Sequence, residues 1–395
     1  MSWPIVKLDD VFKVARGGSP RPIQDFITDD PDGINWIMIG DTKDSSKYIK
    51  STAKKIKREG MKKSREVFPG DFLLTNSMSF GKPYILKTQG CIHDGWLVLS
   101  PKHDQIHTDY FYHYLGSSEI KNKLASRAAG AVVKNLNSEI VRQLEIPLPP
   151  LAEQKRIAAI LDKADAIRRK RQQAIALADE FLRSVFLDMF GDPVTNPKGL
   201  NLKPITSFAS VITGNAFKSN DYIEDSENAV RLCRGANTLP GFFDWKDTAF
   251  WGKNRLNKLD NYRLKGGDTI LAMDRPWISS GLKVCLWDEK ERETYLVQRV
   301  ARLRPKKMIY AEFIYACIKS QAFEKHCCPT ETTVPHISPV ELKEFLVPNP
   351  SEDLLLKFHQ IVQKFSLSFK STNTAEVNSE SLFNALSQKA FAGQL

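Results

Sequence analysis

The stretch Ile146-Pro-Leu-Pro-Pro-Leu-Ala-Glu-Gln-Lys-Arg-Ile-Ala-Ala-Ile-Leu-Asp162 leads from a proline-punctuated segment into a long apolar pattern. The two adjacent prolines can close a strand and allow a helix to begin. Apolar residues then recur at three- or four-residue spacing until Gly191-Asp-Pro193. They are Ile157, Ile160, Leu161, Ala164, Ile167, Ala174, Ala178, Phe181, Leu182, Val185 and Met189. This spacing predicts one helix from about Ala152 to about Phe190, about 58 Å long.

A second apolar stripe occupies the end of the chain. It begins near Glu352, loosens through Ser371-Thr-Asn-Thr374 and resumes from Leu382 to Phe391. Its first part carries Leu355, Phe358, Ile361, Val362, Phe365 and Phe369. Two long apolar stripes cannot both remain exposed, and the simplest burial is against each other. The sequence therefore predicts an antiparallel, coiled-coil-like pair of helices.

Each of these helices follows a copy of the same sequence. Pro69-Gly-Asp-Phe-Leu-Leu74 matches Gly266-Gly-Asp-Thr-Ile-Leu271, and the glycine at 17 matches Gly214, both at an offset of 197 residues. A later pair of blocks, around Leu136 and Ile337, matches at an offset of 201. A period of this length indicates a duplicated domain rather than a solenoid.

The predicted fold class is α+β, with two similar α/β domains separated by two long antiparallel helices and related by a pseudo-two-fold axis. Short apolar runs broken by Gly, Pro, Asn and Asp predict strands at Trp36-Ile-Met-Ile39, Phe72-Leu-Leu74 and Trp96-Leu-Val-Leu99. A short aromatic helix is expected at 109–115 and again at 311–317. The predicted domains are 1–150, the spacer helix 151–192, the second domain 193–350 and the spacer helix 351–395.

The composition indicates a globular protein with a polyanionic partner. Hydrophobic residues make up 42% and charged residues 26% of the chain, which excludes a disordered or collagen-like protein. The 57 Lys and Arg residues outnumber the 46 Asp and Glu residues, so the net charge is +11. Nucleic acid is the leading candidate for the partner of so basic a chain.

Other sequence features bear on location and metal binding. No apolar run reaches the length of a membrane span, and the first ten residues lack a signal-peptide pattern, so we expect a cytoplasmic protein. The six cysteines include no C-x-x-C pair and are expected to be free thiols. His326-Cys327-Cys328, even with His336 nearby, lacks the paired ligands of a zinc site, so no metal is expected.

Basic residues are concentrated at equivalent places in the two copies. Ten lie between Thr42 and Arg65, opposed only by Asp44 and Glu59. The matching stretch of the second copy carries eight, more diluted by acidic residues: Arg231, Arg234, Lys246, Lys253, Arg255, Lys258, Arg263 and Lys265. A single run of this kind is typical of a solvated surface. Its recurrence in a chain of this charge favours contact with phosphates.

A polar loop follows each Gly-Asp block, at 75–82 and at 273–283. Asn, Ser and Arg are residue types that read base edges or bind phosphate, although ordinary surface loops vary in the same way. The predicted DNA-binding residues are Lys54, Lys57, Arg58, Lys62, Asn76, Ser77, Lys82, Lys134 and Asn135 in the first copy, and Arg231, Arg234, Asn237, Arg255, Arg275, Lys283 and His336 in the second.

Motifs for catalysis are missing from the sequence. It contains no phosphate-binding G-x-x-x-x-G-K-[ST], no H-E-x-x-H, no G-x-S-x-G, and no Asn/Asp-Pro-Pro-aromatic tetrapeptide of the kind found in DNA methyltransferases. We therefore predict a binding protein with no catalytic residues. Two alternatives stay open: an enzyme that methylates or cleaves DNA alone, and a protein-interaction scaffold whose basic surface is incidental.

The stretch from Ile146 to Asp162, with Leu187-Asp-Met-Phe-Gly-Asp-Pro193, strongly resembles the central conserved region of specificity subunits of type I restriction–modification systems. The ending from Leu382 to Leu395 is similar to their distal conserved region, and the blocks at Lys7-Leu8 and at both Gly-Asp positions match as well. One departure is that the second copy has no clear equivalent of Glu153-Gln-Lys-Arg156. Asp353-Leu-Leu-Leu356 stands at that place. Residues 373–379 also weaken the second helix, so this spacer is expected to bind its partner less regularly.

The resemblance implies a non-catalytic subunit with two target recognition domains, each reading half of a split site in double-stranded DNA, while the helix pair acts as a ruler. It also implies two modification subunits, which bring S-adenosylmethionine and methylate adenine, and restriction subunits, which bring ATP-driven cleavage. Those cofactors and Mg²⁺ are expected on the partners and none on this chain; a complex that only methylates stays possible. The residues expected to form the partner-binding helices are Gln154, Arg156, Ile157, Ile160, Leu161, Phe181, Phe358, Ile361 and Phe365.

Overall fold

The computed structural model describes residues 3–42, 47–76, 81–129, 136–328, 336–372 and 379–395. The chain forms two compact units that combine helices with mostly antiparallel sheets. Unit 1 comprises Met1–Ile175 and Ala375–Leu395, and unit 2 comprises Ala176–Thr374. The predicted division into two domains and two separate spacers stays a prediction, because the helices are shared between these units.

Unit 1 contains two five-stranded sheets and one two-stranded sheet. The central sheet has the strand order Phe12–Arg16, Trp96–Pro101, Phe72–Thr75, Pro83–Leu86 and Tyr48–Ile49. The second sheet has the order Ile27–Thr28, Lys54–Ile56, Ile34–Ile37, Gly90–Ile92 and Arg65–Val67. A two-stranded ribbon, Ile5–Lys7 with Glu145–Pro147, closes the unit in antiparallel register.

Unit 2 repeats this plan with shorter sheets. Its central sheet has the order Ala209–Thr213, Val300–Pro305, Thr269–Ala272 and Val284–Leu286. A three-stranded sheet follows the order Ala249–Gly252, Ala229–Cys233 and Thr294–Leu296. Three two-stranded pairs complete the described sheets: Leu202–Pro204 with Leu346–Pro348, Thr238–Leu239 with Phe242–Phe243, and Trp277–Ile278 with Gly281–Leu282.

Helices cover one side of each central sheet and complete its core. Unit 1 carries Leu8–Val11, Thr108–Leu115, Ser118–Ala129 and Ser138–Arg142, and unit 2 carries Ala311–Ile318, Gln321–Cys327 and Pro339–Glu344. The predicted ends of the two aromatic helices agree with those in the structure to within one residue. Tyr110, Phe111 and Tyr114 of the first are buried in the core of unit 1. Phe313 and Ile314 of the second have the same role in unit 2.

The long helix extends over Leu151–Phe190, which confirms its prediction. The carbonyl of Pro150 accepts hydrogen bonds from the backbone N–H of Glu153 and Gln154 at 2.9 and 3.0 Å, so the prolines do precede the first turn. The second stripe forms two helices, Glu352–Thr372 and Ser379–Phe391. The residues at 373–378, where the sequence predicts a weakened helix, lie outside the described part.

Contacts within each unit give the direction of these helices. In unit 2, the ring of Phe190 lies 5.2 Å from that of Phe358, and the ring of Phe181 lies 4.8 Å from that of Phe365. In unit 1, Arg168 lies over the ring of Phe383, while Arg156 donates to the carbonyl of Leu395 at 3.2 Å. In both places, residue numbers rise along one helix as they fall along the helix packed against it. The packing is therefore antiparallel, as predicted.

The duplication is visible in the hydrogen bonds of the two Gly-Asp turns. The Oδ2 atom of Asp71 accepts from the N–H of Phe68 at 2.8 Å, and Oδ2 of Asp268 accepts from the N–H of Lys265 at 2.8 Å. The preceding glycine has φ +99° at Gly70 and +83° at Gly267, a conformation that favours glycine. The sequence repeat therefore encodes the same turn in both units.

Candidate nucleic-acid interface

A basic surface in unit 1 comes from one segment of the chain, 54–67, which contributes two strands to the second sheet. The strand Lys54–Ile56, the turn Arg58–Lys63 and the strand Arg65–Val67 follow one another along the chain. Lys54 is exposed, while Ile56, two residues further along the strand, is buried in the core. The predicted contacts Lys57, Arg58 and Lys62 are also exposed. The Nζ atom of Lys57 donates to the carbonyl of Asp25 at 2.8 Å.

Three segments of each unit meet at a common point, which we call the junction. In unit 1, the N–H of Asn76 donates to the carbonyl of Gly95 at 3.1 Å, and the N–H of Leu136 donates to the carbonyl of Asn76 at 3.0 Å. In unit 2, the N–H of Met273 donates to the carbonyl of Arg299 at 3.0 Å. The N–H of Ile337 then donates to the carbonyl of Met273 at 3.0 Å. The junction therefore has one backbone design in both units.

The predicted unit 1 residues near the junction differ in exposure. Asn76 is only 3% exposed, and its Nδ2 atom donates to the carbonyl of Asp94 at 2.7 Å, so its side chain holds the junction together. Lys82 is half-buried, with Nζ 5.2 Å from the ring centre of Tyr84. The predicted contacts Ser77, Lys134 and Asn135 lie outside the described residues.

Two predicted residues of unit 2 are buried and serve the fold, which corrects the expectation of surface contacts. Arg231 is 8% exposed, stacks 3.6 Å from the ring centre of Trp245 and pairs with Glu291. Asn237 is 1% exposed, and its Nδ2 atom donates to the carbonyls of Asp244 and Asp247. A buried polar group requires partners inside the protein. The polar groups of Arg231 and Asn237 have such internal partners and do not lie at the surface.

The other predicted residues of unit 2 reach the surface. Arg255 and Arg275 are exposed, and Arg255 pairs with Asp221 at 3.3 Å. Arg234 is half-buried and pairs with Asp247 at 3.0 Å. His336 is exposed beside the junction. Lys283 is half-buried, and burial lowers the pKa of its ammonium group.

An ionic group beside the junction of unit 2 was missed by the sequence analysis. The carboxylate of Asp274 lies 2.6 Å from Nδ1 of His336 and 3.4 Å from Nε of Arg299. These residues are 25 to 62 positions apart in sequence, and the junction alone brings them together. No sequence signal marks this group, because Arg299 corresponds to Gly95 through strand pairing, at an offset of 204 residues instead of the 197 or 201 of the sequence repeat.

A cleft of about 770 Å³ opens next to the junction of unit 1. Trp36, Met38 and Ile27 provide apolar lining, and Arg21, Lys54 and Asp94 provide charge. His93 is held between two backbone donors: its Nδ1 atom accepts from Gly95 N–H at 2.8 Å, and its Nε2 atom faces Ile39 N–H at 3.3 Å. A second histidine, His113, bonds Asp162 of the long helix at 2.8 Å.

Acidification from pH 7.5 to 5 is expected to destabilise unit 1. Burial lowers the pKa of both His93 and His113. Below the ordinary histidine pKa of about 6.5, the unfolded chain binds protons that these native side chains do not, so the free energy of unfolding falls. Melting temperatures of the full chain across this range measure the slope. His93→Gln combined with His113→Gln should flatten it, whereas the exposed His103→Gln should leave it unchanged; an unchanged slope in the double variant would contradict this assignment.

The residues predicted on the partner-binding helices divide by burial. Gln154, Ile157, Leu161 and Phe358 are almost fully buried, and the amide of Gln154 bonds the carbonyls of Gln105 and Pro149. These four residues attach the helices to their own units. Ile160 and Phe365 are half-buried, while Arg156, Phe181 and Ile361 are exposed.

The described residues contain neither a metal-binding cluster nor a helix suited to span a membrane. No group of three or more His, Cys, Asp or Glu side chains there is arranged to hold a metal ion. Among the helices of the described ranges, none has the length and apolar character required to cross a membrane.

Comparison with known proteins connects this architecture to a family. Residues 2–177 match the family model described as the type I restriction modification DNA specificity domain. The MjaVIII specificity subunit of a type I restriction enzyme from Methanocaldococcus jannaschii is 25% identical, over 88% of this chain and 82% of the relative. The MjaIX specificity subunit from the same organism is 24% identical, over 91% of this chain and 86% of the relative.

A solved structure shows a similar fold along the whole chain. The S subunit of a type I restriction–modification system from M. genitalium superposes with a TM-score of 0.59 at 14% identity, covering 99% of this chain and 96% of that one. Together with the specificity-domain match, this likeness agrees with the conserved regions recognised in the sequence. The chain is therefore similar over most of its length to type I restriction enzyme specificity subunits, and residues 2–177 match their DNA specificity domain.

Proposed function

We propose that this chain is the non-catalytic DNA-recognition subunit of a type I restriction–modification complex, acting in the cytoplasm. Each unit reads one half of a bipartite target in double-stranded DNA. The observation that carries the proposal is the junction, whose backbone is the same in both units while its side chains differ. One scaffold with two sets of polar side chains suits the reading of two different short sequences.

Charge supports the same proposal. Lys54, Lys57, Arg58 and Lys62 are exposed along one segment of unit 1, and Arg255 and Arg275 are exposed in unit 2. Cationic side chains on DNA phosphates release counterions and supply affinity that does not depend on sequence. Specificity then comes from the residues near each junction.

We further propose that the two recognition units are related by a pseudo-two-fold axis. The long helices set the distance between the half-sites and bind the catalytic partners. Apolar side chains remain exposed along them: Ile167, Ile175, Leu177, Phe181, Leu356, Ile361, Leu367 and Leu382. Exposed apolar residues in such number are typical of a protein interface. Two modification subunits, carrying S-adenosylmethionine, and restriction subunits, carrying ATP and Mg²⁺, are the proposed partners.

Selection from random duplexes tests the recognition function. The chain, purified with its modification partner, is expected to retain one sequence of two fixed half-sites separated by a fixed gap. Weak, salt-insensitive retention of all sequences would instead indicate a scaffold. Methyl transfer or cleavage by the chain alone would indicate an enzyme.

Arg275→Ala is expected to relax the preference at one half-site only. An arginine bidentate to guanine contributes about 1–3 kcal/mol of discrimination. Binding to the selected duplex and to single-base variants of each half-site measures the effect. Equal weakening on all these duplexes would identify Arg275 as a phosphate contact instead.

A further inference from the structure

The junction provides a way to find base-reading residues that the sequence did not reveal. In both units, a strand of the central sheet, the loop after a second strand and a later segment are joined by equivalent backbone bonds. Side chains that leave this point share a defined backbone position. Differences between the two units at the junction therefore change the exposed chemistry without changing the scaffold.

The largest difference lies at Gly95 of unit 1 and Arg299 of unit 2. A Cβ atom at Gly95 would lie 2.2 Å from the ring of His93, so unit 1 excludes a side chain there. Unit 2 carries an arginine with 65% of its side chain exposed. The junction of unit 2 thus presents a guanidinium group where that of unit 1 presents bare backbone.

Arg299 is held by an ionic group. Its Nε and Nη1 atoms lie 3.4 Å from the two carboxylate oxygens of Asp274, and His336 Nδ1 lies 2.6 Å from the same carboxylate. Within the described residues, only Nη1 of the Arg299 side chain forms a hydrogen bond, to Oδ1 of Asp274. A guanidinium has five N–H donors, so the Nη2 side can still form a bidentate contact.

Unit 1 has its own arginine–carboxylate pair beside the junction. Arg21 Nη2 lies 3.5 Å from Asp94 Oδ2, and Ser19 donates to Asp94 Oδ1 at 2.9 Å. The carbonyl of the same Asp94 accepts the side-chain N–H of Asn76. Arg21 is 81% exposed at its side chain and lines the mouth of the cleft.

Such exposed pairs add little to stability, because solvent screens them and two long side chains lose freedom. They do restrict the orientation of an arginine before it binds, which reduces the entropy lost on binding. Guanine offers two acceptors, O6 and N7, at the spacing of a guanidinium edge. The chemistry at both junctions is therefore suited to a G·C base pair.

We infer that Arg299, oriented by Asp274 and His336, reads a guanine in the half-site bound by unit 2, and that Arg21, oriented by Asp94, reads a guanine in the half-site bound by unit 1. This inference rests on the proposed DNA-recognition function. It adds one specificity-determining arginine to each unit and makes Asp274 and Asp94 positioning residues.

The test uses the full chain with its modification partner and the bipartite duplex selected by the wild type. Arg299→Ala is expected to reduce discrimination about 5- to 150-fold at one base pair of one half-site. Arg21→Ala is expected to have the same effect at one base pair of the other half-site. Asp274→Asn should reduce discrimination at the position affected by Arg299→Ala, and by a smaller factor.

Arg292→Ala is the matched control, because Arg292 is exposed and pairs with Asp225 at 2.7 Å but belongs neither to a junction nor to the basic stretch of the second copy. It should leave both half-site profiles unchanged. Retained discrimination at the untouched half-site shows that each variant is folded. If Arg299→Ala and Arg21→Ala leave both profiles unchanged, or weaken all duplexes equally, the inference is overturned while the wild-type target still supports the proposed function. A wild type that selects no bipartite target would overturn both.

Discussion

A target duplex whose gap between half-sites is one base pair longer or shorter is expected to bind about 100-fold more weakly or worse. One base pair moves a half-site by about 3.4 Å along the DNA and turns it by about 34–36° around the axis. A continuous helix of 40 residues, Leu151–Phe190, offers no loop to absorb this change. One half-site would therefore lose its base contacts, and two or three base pairs at about 1–3 kcal/mol each account for the loss.

Titration of the complex with duplexes of five successive gap lengths measures this dependence. Duplexes that keep the gap length but change its base sequence are the control, and they should bind like the selected target. Affinity that varies smoothly by less than about threefold over the five lengths would show that the helices do not act as a ruler.

Arg304→Leu is expected to destabilise unit 2 by about 3 kcal/mol. The guanidinium of Arg304 donates to both carboxylate oxygens of Asp268, at 2.8 and 2.7 Å, and Asp268 is fully buried. Removing one partner of a buried ion pair leaves a charge without compensation, which costs about 3–5 kcal/mol. We expect the lower end, because the N–H of Lys265 still donates to the carboxylate.

Arg302→Leu, two residues away on the same strand, is expected to raise the free energy of unfolding of unit 2 and not to lower it. Arg302 is 2% exposed, and burial lowers the pKa of its guanidinium to about 10. In unit 1 the equivalent strand position is Val98. Within the described residues no carboxylate pairs with this guanidinium, so its burial costs desolvation energy, and an apolar replacement is expected to stabilise unit 2 by about 1 kcal/mol. The carbonyl of Asn261, which accepts from Arg302, belongs to an exposed residue and can be rehydrated.

Urea unfolding and calorimetry of the full chain measure both variants. A loss of about 3 kcal/mol corresponds to a melting temperature about 6–12 °C lower for a unit of this size. Comparable losses in Arg302→Leu and Arg304→Leu would contradict the assignment of Asp268 as the charge that needs its partner.

The long-range plan of the fold could be predicted because it repeats and because its helices are periodic. The helix Leu151–Phe190 has an apolar stripe with clear stops, and the Gly-Asp turns recur with their side-chain bonds. The helix Ser118–Ala129 was missed. Ile120 and Leu124 are the only hydrophobic side chains of its described part that are buried in the core, and that is too few for a recognisable stripe.

The interface was less predictable, because residue type does not determine exposure. Arg231 and Asn237 have the chemistry of DNA contacts, but stacking on Trp245 and bonds to the carbonyls of Asp244 and Asp247 place them inside unit 2. Asp274 and Arg299 are single charges with no local pattern. Their proximity depends on strand pairing, which links residues far apart in sequence.

The position of the last helix has a consequence for synthesis on the ribosome. Ala390 and Phe391 belong to the core of unit 1, where the Phe391 ring lies 5.7 and 5.0 Å from those of Tyr110 and Tyr114. Unit 2 lies entirely within residues 176–374. Unit 1, most of which is translated first, therefore completes its core last. A premature stop codon before Ala390 would damage this amino-terminal unit.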